Sequence, residues 1–208
     1  MDLQTYYVFL LAAVVLVLAP GPDTLLVLSR SLASGANAGL MTLIGTQAGN
    51  IVHALLAGLG LSSIILLFPY AFEALKYAGA AYLVYLAVMS WRSKATLELD
   101  PKLARRTGSP LRYFYQGFVN NMVNPKVILF FIALLPQFVN PAESVALQSL
   151  LLGSTVAVLA IMWMGALALL TGRFRERLAG SPTFLKVANK LAALTFFGLA
   201  CRLAIQER

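Results

Sequence analysis

Long apolar runs alternate with short polar breaks along the chain. The runs cover residues 3–28, 39–67, 75–91, 113–138, 145–170 and 187–205. Each is close to or above the roughly 20 residues that an α-helix needs to cross a bilayer. Because the runs are continuous and do not alternate in segments of about ten residues, they favour helices over the strands of a membrane barrel. The pattern predicts an all-α, polytopic membrane protein with six transmembrane helices.

The composition leaves few residues for structure outside the six predicted spans. Of 208 residues, 60% are hydrophobic and 12% are charged, and the mean hydropathy is +0.80. A soluble domain usually carries roughly 25% charged residues. Six spans would occupy about 120 positions. We therefore expect a single transmembrane domain over residues 1–208, embedded in the lipid bilayer, with no separate soluble domain.

Basic residues give the chain a formal net charge of +8 and lie mainly in the breaks between the apolar runs. They do not form a stripe on a soluble surface, which disfavours nucleic acid as a partner. The first, third and fifth breaks contain Arg30; then Arg92, Lys94, Lys102, Arg105, Arg106 and Arg112; then Arg173, Arg175 and Arg177. The second and fourth breaks contain no Lys or Arg. The positive-inside rule therefore predicts cytoplasmic odd-numbered breaks, with both termini outside.

The long basic loop divides the six spans into two groups of three. Repeat one covers about residues 1–92, the loop about 93–112 and repeat two about 113–208. Because three is odd, the second group must be inverted relative to the first. Pro22 and Pro125 occupy comparable places, and Gly49 and Gly153 follow at nearly the same interval. The sequence therefore predicts two inverted three-helix repeats, a plan found in secondary transporters with a site where interrupted helices meet.

Prolines interrupt the first and fourth predicted spans. The motifs are Pro20-Gly21-Pro22-Asp23 and Asn120-Asn121-Met122-Val123-Asn124-Pro125-Lys126. A proline removes a backbone donor and frees the carbonyl four residues earlier, here those of Leu16, Leu18 and Asn121. Freed carbonyls can coordinate a ligand, and glycine lets a ligand or helix approach the backbone. The alternative is a purely structural kink, which membrane helices tolerate.

Asp23 and Lys126 each follow a proline directly, so a carboxylate and an ammonium occupy equivalent positions in the two predicted repeats. We expect them to face each other. An isolated lysine at this depth would cost about 2.5–3.5 kcal/mol on insertion scales. One interpretation is a buried ion pair that offsets both costs. The other is that Lys126 receives a substrate carboxylate while Asp23 takes an amino group or a coupling proton, as an amino acid zwitterion would allow.

The second predicted span contains polar residues at helical spacing. Gln47, Asn50 and His53 lie there, and Asn50 and His53 share a face. The sole histidine has an ordinary pKa near 6.5, which suits proton transfer. It would serve equally well in a hydrogen bond between helices. Gly45 and Gly49 form a Gly-x-x-x-Gly motif that is typical of close helix packing.

No enzyme constellation is present in the sequence. It has no glycine-rich phosphate loop, no cluster of metal ligands and no nucleophile close to the single histidine. We therefore predict a protein that is not an enzyme and that binds no cofactor and no metal. Since a nucleotide motif is missing as well, any transport should be driven by an ion gradient.

Several motifs occur in a characteristic order along nearly the whole chain. They are Pro20-Gly21-Pro22-Asp23-Thr24, Gly45 with Gly49, residues 75–83, and Asn124-Pro125-Lys126 followed by Phe130 and Pro136-Gln137-Phe138. With these motifs the chain resembles the LysE family of bacterial amino acid exporters, and it is most similar to the RhtB branch, which exports homoserine, homoserine lactone, threonine or leucine. The resemblance implies a multi-pass inner-membrane exporter of neutral amino acids that exchanges solute for protons.

Together, these arguments predict one central pathway for substrate and protons. Its residues are Pro20, Gly21, Pro22, Asp23, Gln47, Asn50, His53, Asn121, Asn124, Pro125 and Lys126. Two alternatives remain: an efflux carrier for a metal or organic cation, and a membrane assembly subunit that transports nothing. Glycine-rich faces would also be compatible with a homo-oligomer.

Overall fold

The computed structural model describes residues 2–67 and 108–173, together with positions 77, 80–82, 84, 85, 87, 88, 91, 92, 190, 193, 194, 197, 198, 200 and 201. The helices are α1 (Leu3–Leu18), α2 (Pro22–Ser34), α3 (Ala36–Leu67), α4 (Pro110–Met122), α5 (Pro125–Leu129) and α6 (Val145–Arg173). A π-helical turn (Phe130–Leu134) and a 3-10 turn (Leu135–Phe138) continue α5. The predicted all-α class is confirmed. The third and sixth predicted spans lie largely outside the described residues, although the described positions in them are helical.

Two of these helices are long and apolar enough to cross a membrane alone. They are the segments Ala36–Gly60 of α3 and Val145–Leu170 of α6. Two further crossings are possible if each bent pair forms one span. The axes of α1 and α2 differ by 47°, and the axis of α4 differs by 51° from that of the segment Pro125–Phe138. The described residues thus contain up to four spans, and two of them are broken where the sequence predicts.

Local sequence explains where these helices begin and end. Asp2 caps α1, because its carboxylate accepts a hydrogen bond of 2.7 Å from the backbone N–H of Thr5. Both broken spans restart at a proline in the first helical position, Pro22 in α2 and Pro125 in α5. Proline is well suited to that position because its missing N–H would have no partner there. Gly35 alone separates α2 from α3, with a φ of +89° that favours glycine.

Helix α3 lies at the centre and packs against α2, α4 and α6. Glycines let these helices approach closely. A Cβ atom on Gly45 would collide with the carbonyl oxygen of Phe114, and one on Gly117 would collide with that of Thr42. Gly49 makes room for the side chain of Asn121 in the same way. Because Gly45 and Gly49 serve packing within the chain, they do not supply a face for self-association.

The prediction that Arg30 lies in a break is wrong. Arg30 belongs to α2 and is buried, with its guanidinium 5.6 Å from the centre of the Tyr113 ring. A guanidinium over an aromatic face is favourable, and this contact helps to accommodate the charge inside the bundle. Likewise α4 begins at Pro110, so Arg112 lies in its first turn and not in the preceding loop.

Candidate functional site

The two helix breaks face one small cavity. Its volume is about 40 Å³, enough for about one water molecule. The lining comes from both breaks, from α3 and from α6. The lining residues are Leu16, Val17, Gly21, Asp23, Thr24, Asn50, Asn124, Lys126, Val127, Val156, Ala160 and Met164.

Lys126, at the start of α5, connects the second helix break to the first. Its Nζ donates hydrogen bonds to the carbonyl oxygens of Leu16 at 2.7 Å and Ala19 at 2.6 Å. In an unbroken helix the Leu16 carbonyl would accept from residue 20, but Pro20 has no N–H. The prediction that Pro20 frees the carbonyl of Leu16 is therefore confirmed, and the ammonium of Lys126 donates a hydrogen bond to this carbonyl. The aliphatic part of Lys126 passes close to Gly21, where a Cβ atom would lie 3.3 Å from the lysine Cδ.

Asp23 is held by two amide side chains of α4. One carboxylate oxygen accepts from Nδ2 of Asn120 at 2.7 Å, and the other accepts from Nδ2 of Asn121 at 2.8 Å. Asp23 also lies in the first turn of α2, where the helix dipole favours a negative charge. These contacts offset the cost of burying the carboxylate, of which only 8% is exposed.

The amide network continues from Asp23 into α3. Nδ2 of Asn121 also donates to Oδ1 of Asn50 at 3.1 Å, and Nδ2 of Asn50 donates to Oε1 of Gln47 at 2.6 Å. Asn121 is fully buried. A chain of hydrogen bonds between α2, α4 and α3 therefore fixes Asp23 and Asn50 in the cavity lining, on the polar side that we call the polar wall. A lone pair of charges would not achieve this.

Asp23 and Lys126 line the same cavity, as expected, but they hydrogen-bond to other groups. In the part of the chain that the structure describes, Asp23 accepts from amides and Lys126 donates to backbone carbonyls. A direct ion pair, one of the two interpretations of the sequence, is therefore not what holds them. Each charge instead has polar partners that a ligand of suitable charge could replace.

His53 lies behind the cavity and not on its surface. Its Nε2 is 3.4 Å from the carbonyl oxygen of Asn121, which also accepts the backbone N–H of Asn124 at 3.0 Å. The prediction that Pro125 leaves this carbonyl free is therefore wrong, because a tighter turn supplies a backbone donor. The imidazole stacks on Phe131 with ring centres 5.8 Å apart. Gln47 and Asn121 likewise support the lining residues, while Pro20, Pro22 and Pro125 shape the helix ends. The predicted residues that line the cavity are Gly21, Asp23, Asn50, Asn124 and Lys126.

Sequence reasoning missed several neighbours of the site. Asn120 belongs to the proline-containing motif of residues 120–126, and its amide side chain within an apolar run is a usable signal. Tyr82 lies in the apolar run 75–91, where nothing in the sequence indicates its partner. It is buried, and its hydroxyl donates to the carbonyl oxygens of Pro125 at 3.3 Å and Lys126 at 3.1 Å. The lining residues of α6, Val156, Ala160 and Met164, gave no signal because they are apolar residues within a continuous apolar run.

Known proteins similar to this chain match it over nearly its full length. The family described as LysE type translocator matches residues 14–207. The homoserine/homoserine lactone efflux protein of Salmonella typhimurium is 32% identical over 204 residues, which are 98% of this chain and 98% of that protein. The leucine efflux protein of Salmonella choleraesuis is 32% identical over 202 residues, with coverage of 96% and 94%. A Vibrio cholerae protein, named as an uncharacterized membrane protein, is 36% identical over 207 residues, 98% of each chain. No solved structure matches.

Proposed function

Since the chain belongs to the family of LysE type translocators, we propose that it exports small neutral amino acids of the homoserine, threonine or leucine type across the bacterial inner membrane. Its relatives include proteins named for the efflux of homoserine with its lactone and of leucine. Homoserine and leucine share an α-ammonium and a carboxylate and differ in their side chains. The common charged groups are what the polar wall of the cavity must recognise.

One observation carries this proposal: a carboxylate and an ammonium line one buried cavity, and each is held by neutral groups. The carboxylate of an amino acid would take the place of the Leu16 and Ala19 carbonyls on Lys126. The α-ammonium would take a place beside Asp23. Because hydrogen bonds between charged groups are stronger than those to neutral partners, the exchange would compensate for the desolvation of the zwitterion.

An amino acid is too large for a cavity of about 40 Å³, so binding requires the cavity to expand. The two bends, of 47° and 51°, are the points at which the helices can change direction without losing further backbone hydrogen bonds. We propose that residues 1–92 and 113–208 are inverted repeats that rock about these bends. In this scheme substrate enters from the cytoplasmic side, both termini lie outside, and motion opens the cavity outward.

Proton antiport would follow from the position of Asp23. Protonation of its carboxylate from the outside would remove the charge that holds the substrate ammonium, which favours release. The neutral carboxyl would then accompany the inward return. His53 is a second candidate for carrying the proton. It contacts the backbone of Asn121, and the side chain of Asn121 donates to Asp23, so His53 lies one residue away from the carboxylate.

The two alternatives fit this cavity less well. A carrier for metal ions would need several acidic or imidazole ligands, and the described residues contain no group of three or more His, Cys, Asp or Glu side chains that could hold a metal ion. An organic cation would meet the ammonium of Lys126 in the lining. A subunit that transports nothing would have no need of buried charges around a cavity.

The test is the export of a panel of labelled amino acids from cells that express this chain. We expect efflux of at least one neutral amino acid above that of cells with an empty vector. Cells with an equal membrane amount of the Lys126→Met variant serve as the control for the site. Export of cations without amino acids would favour the cation carrier. Export of neither would favour the membrane subunit that transports nothing.

A further inference from the structure

One face of α6 contributes an apolar part of the cavity lining. Val156, Ala160 and Met164 follow at intervals of four residues and line the cavity. Side chains four apart on a helix share a face. All three are buried, with exposed fractions of 2%, 1% and 5%. They form a continuous apolar strip, which we call the α6 strip.

The polar wall and the α6 strip differ in the strength of the hydrogen bonds that hold them to neighbouring helices. Asp23, Asn121 and Asn50 are joined by hydrogen bonds of 2.8–3.1 Å. Between α2 and α6, the Thr24 hydroxyl donates to the sulfur of Met164 at 3.7 Å, and sulfur is a weak acceptor. Withdrawal of the α6 strip would therefore break weaker hydrogen bonds than separation of the polar wall. The space for a substrate side chain should open on the side of α6.

The charges also fix the direction in which that side chain points. If the carboxylate lies at Lys126 and the α-ammonium at Asp23, both head groups of the substrate occupy the polar wall. The remaining large substituent of the α-carbon would then point away from that wall and toward the apolar part of the lining, to which α6 contributes Val156, Ala160 and Met164. An aliphatic side chain would bury its apolar surface there without leaving any polar group unpaired.

We propose that the α6 strip, centred on Ala160, is the side-chain subsite and selects substrates by the length of their aliphatic side chain. This inference rests on the proposed amino acid export. Ala160 is the smallest residue of the strip and lies between the two larger ones, so its methyl group forms the floor of the subsite. One methylene more or less in an apolar pocket changes discrimination by roughly 10- to 200-fold.

The experiment measures efflux of an aliphatic series, from alanine through α-aminobutyrate and norvaline to norleucine, from proteoliposomes loaded with each amino acid. Ala160→Leu should move the preferred length toward shorter side chains, with a loss of about tenfold or more for the longest substrate that is exported. Val156→Ala should move the preference toward longer ones. The matched control is Ala166→Leu, the same substitution at an exposed position of the same helix, and it should leave the preference unchanged.

The outcomes separate the subsite from the function on which it depends. If the unmodified protein exports no member of the series and no other neutral amino acid, amino acid export itself is refuted. If it exports them, and Val156→Ala and Ala160→Leu change all rates by one common factor, the subsite is refuted while export stands. If Ala160→Leu does not insert into the membrane, the shift expected for Val156→Ala decides the matter.

Discussion

The ammonium of Lys126 lies 2.7 Å from the carbonyl oxygen of Leu16, so a charge at the start of α5 replaces the hydrogen bond that Pro20 cannot donate at the end of α1. The two broken helices are thereby joined through the residue that we propose as the receptor for the substrate carboxylate. Binding of substrate would release this connection. The same atom would thus both hold the closed arrangement and respond to the ligand.

Lys126→Met should reduce amino acid efflux by at least tenfold, because no other cationic group lines the cavity among the described residues. Methionine retains much of the length and flexibility of lysine but carries no charge. The measurement is efflux from proteoliposomes that contain equal amounts of each protein. Lys190→Met is the control, since Lys190 is exposed and packs over the ring of Trp91. Efflux by Lys126→Met at the unmodified rate would contradict a role in substrate binding.

Gly45→Ala should destabilise the bundle, because the added methyl group would collide with the backbone carbonyl of Phe114. Overpacking of this kind typically costs about 1–3 kcal/mol. Thermal unfolding in detergent should show a lower midpoint. Gly60→Ala, in the same helix, has no atom within 4 Å of the new Cβ and should unfold at the same temperature or slightly higher, since alanine favours helix. Equal midpoints for the two variants would show that α3 and α4 are not in such close contact.

Tyr82→Phe should lower efflux by less than tenfold and leave the protein inserted. The hydroxyl of Tyr82 donates to the carbonyl oxygens of Pro125 and Lys126, and loss of a neutral hydrogen bond costs about 0.5–1.5 kcal/mol. Because the ring remains, packing should be preserved. Tyr85→Phe is the matched control, since Tyr85 stacks on Tyr82 but is 53% exposed. If both variants behave alike, the hydroxyl of Tyr82 does not help to orient the start of α5.

The sequence allowed a good prediction of where the helices break, because each backbone N–H and C=O group in a membrane must find a hydrogen-bond partner within the protein. The carbonyl four residues before a proline loses its helical donor, and within an apolar run few other donors are near. The free carbonyl of Leu16 followed from this rule alone, and it has a side-chain partner in the structure. The carbonyl of Asn121 instead accepts the backbone N–H of Asn124, because the chain tightens after α4 before it restarts at Pro125. The family resemblance, based on motifs around these prolines, is confirmed by the match over residues 14–207.

Partners across helices were harder to predict. In the sequence Asp23 and Lys126 each follow a proline directly, but this does not reveal that amides hold one and carbonyls the other. Burial of Tyr82 depends on which face of its helix meets α5, and an apolar run without periodicity carries no such information. The α6 strip was missed for the same reason. Its residues differ from lipid-facing neighbours only in what they contact.

The most direct test of the account is proton-coupled efflux by Asp23→Asn in vesicles with an imposed pH gradient. Asparagine keeps the size of the side chain and removes both its charge and its capacity to take up a proton. We expect Asp23→Asn to be inserted normally and to show no efflux that depends on the gradient, whereas the unmodified protein shows such efflux. Unchanged coupling in Asp23→Asn would contradict the proposed role of this carboxylate and the mechanism built around it.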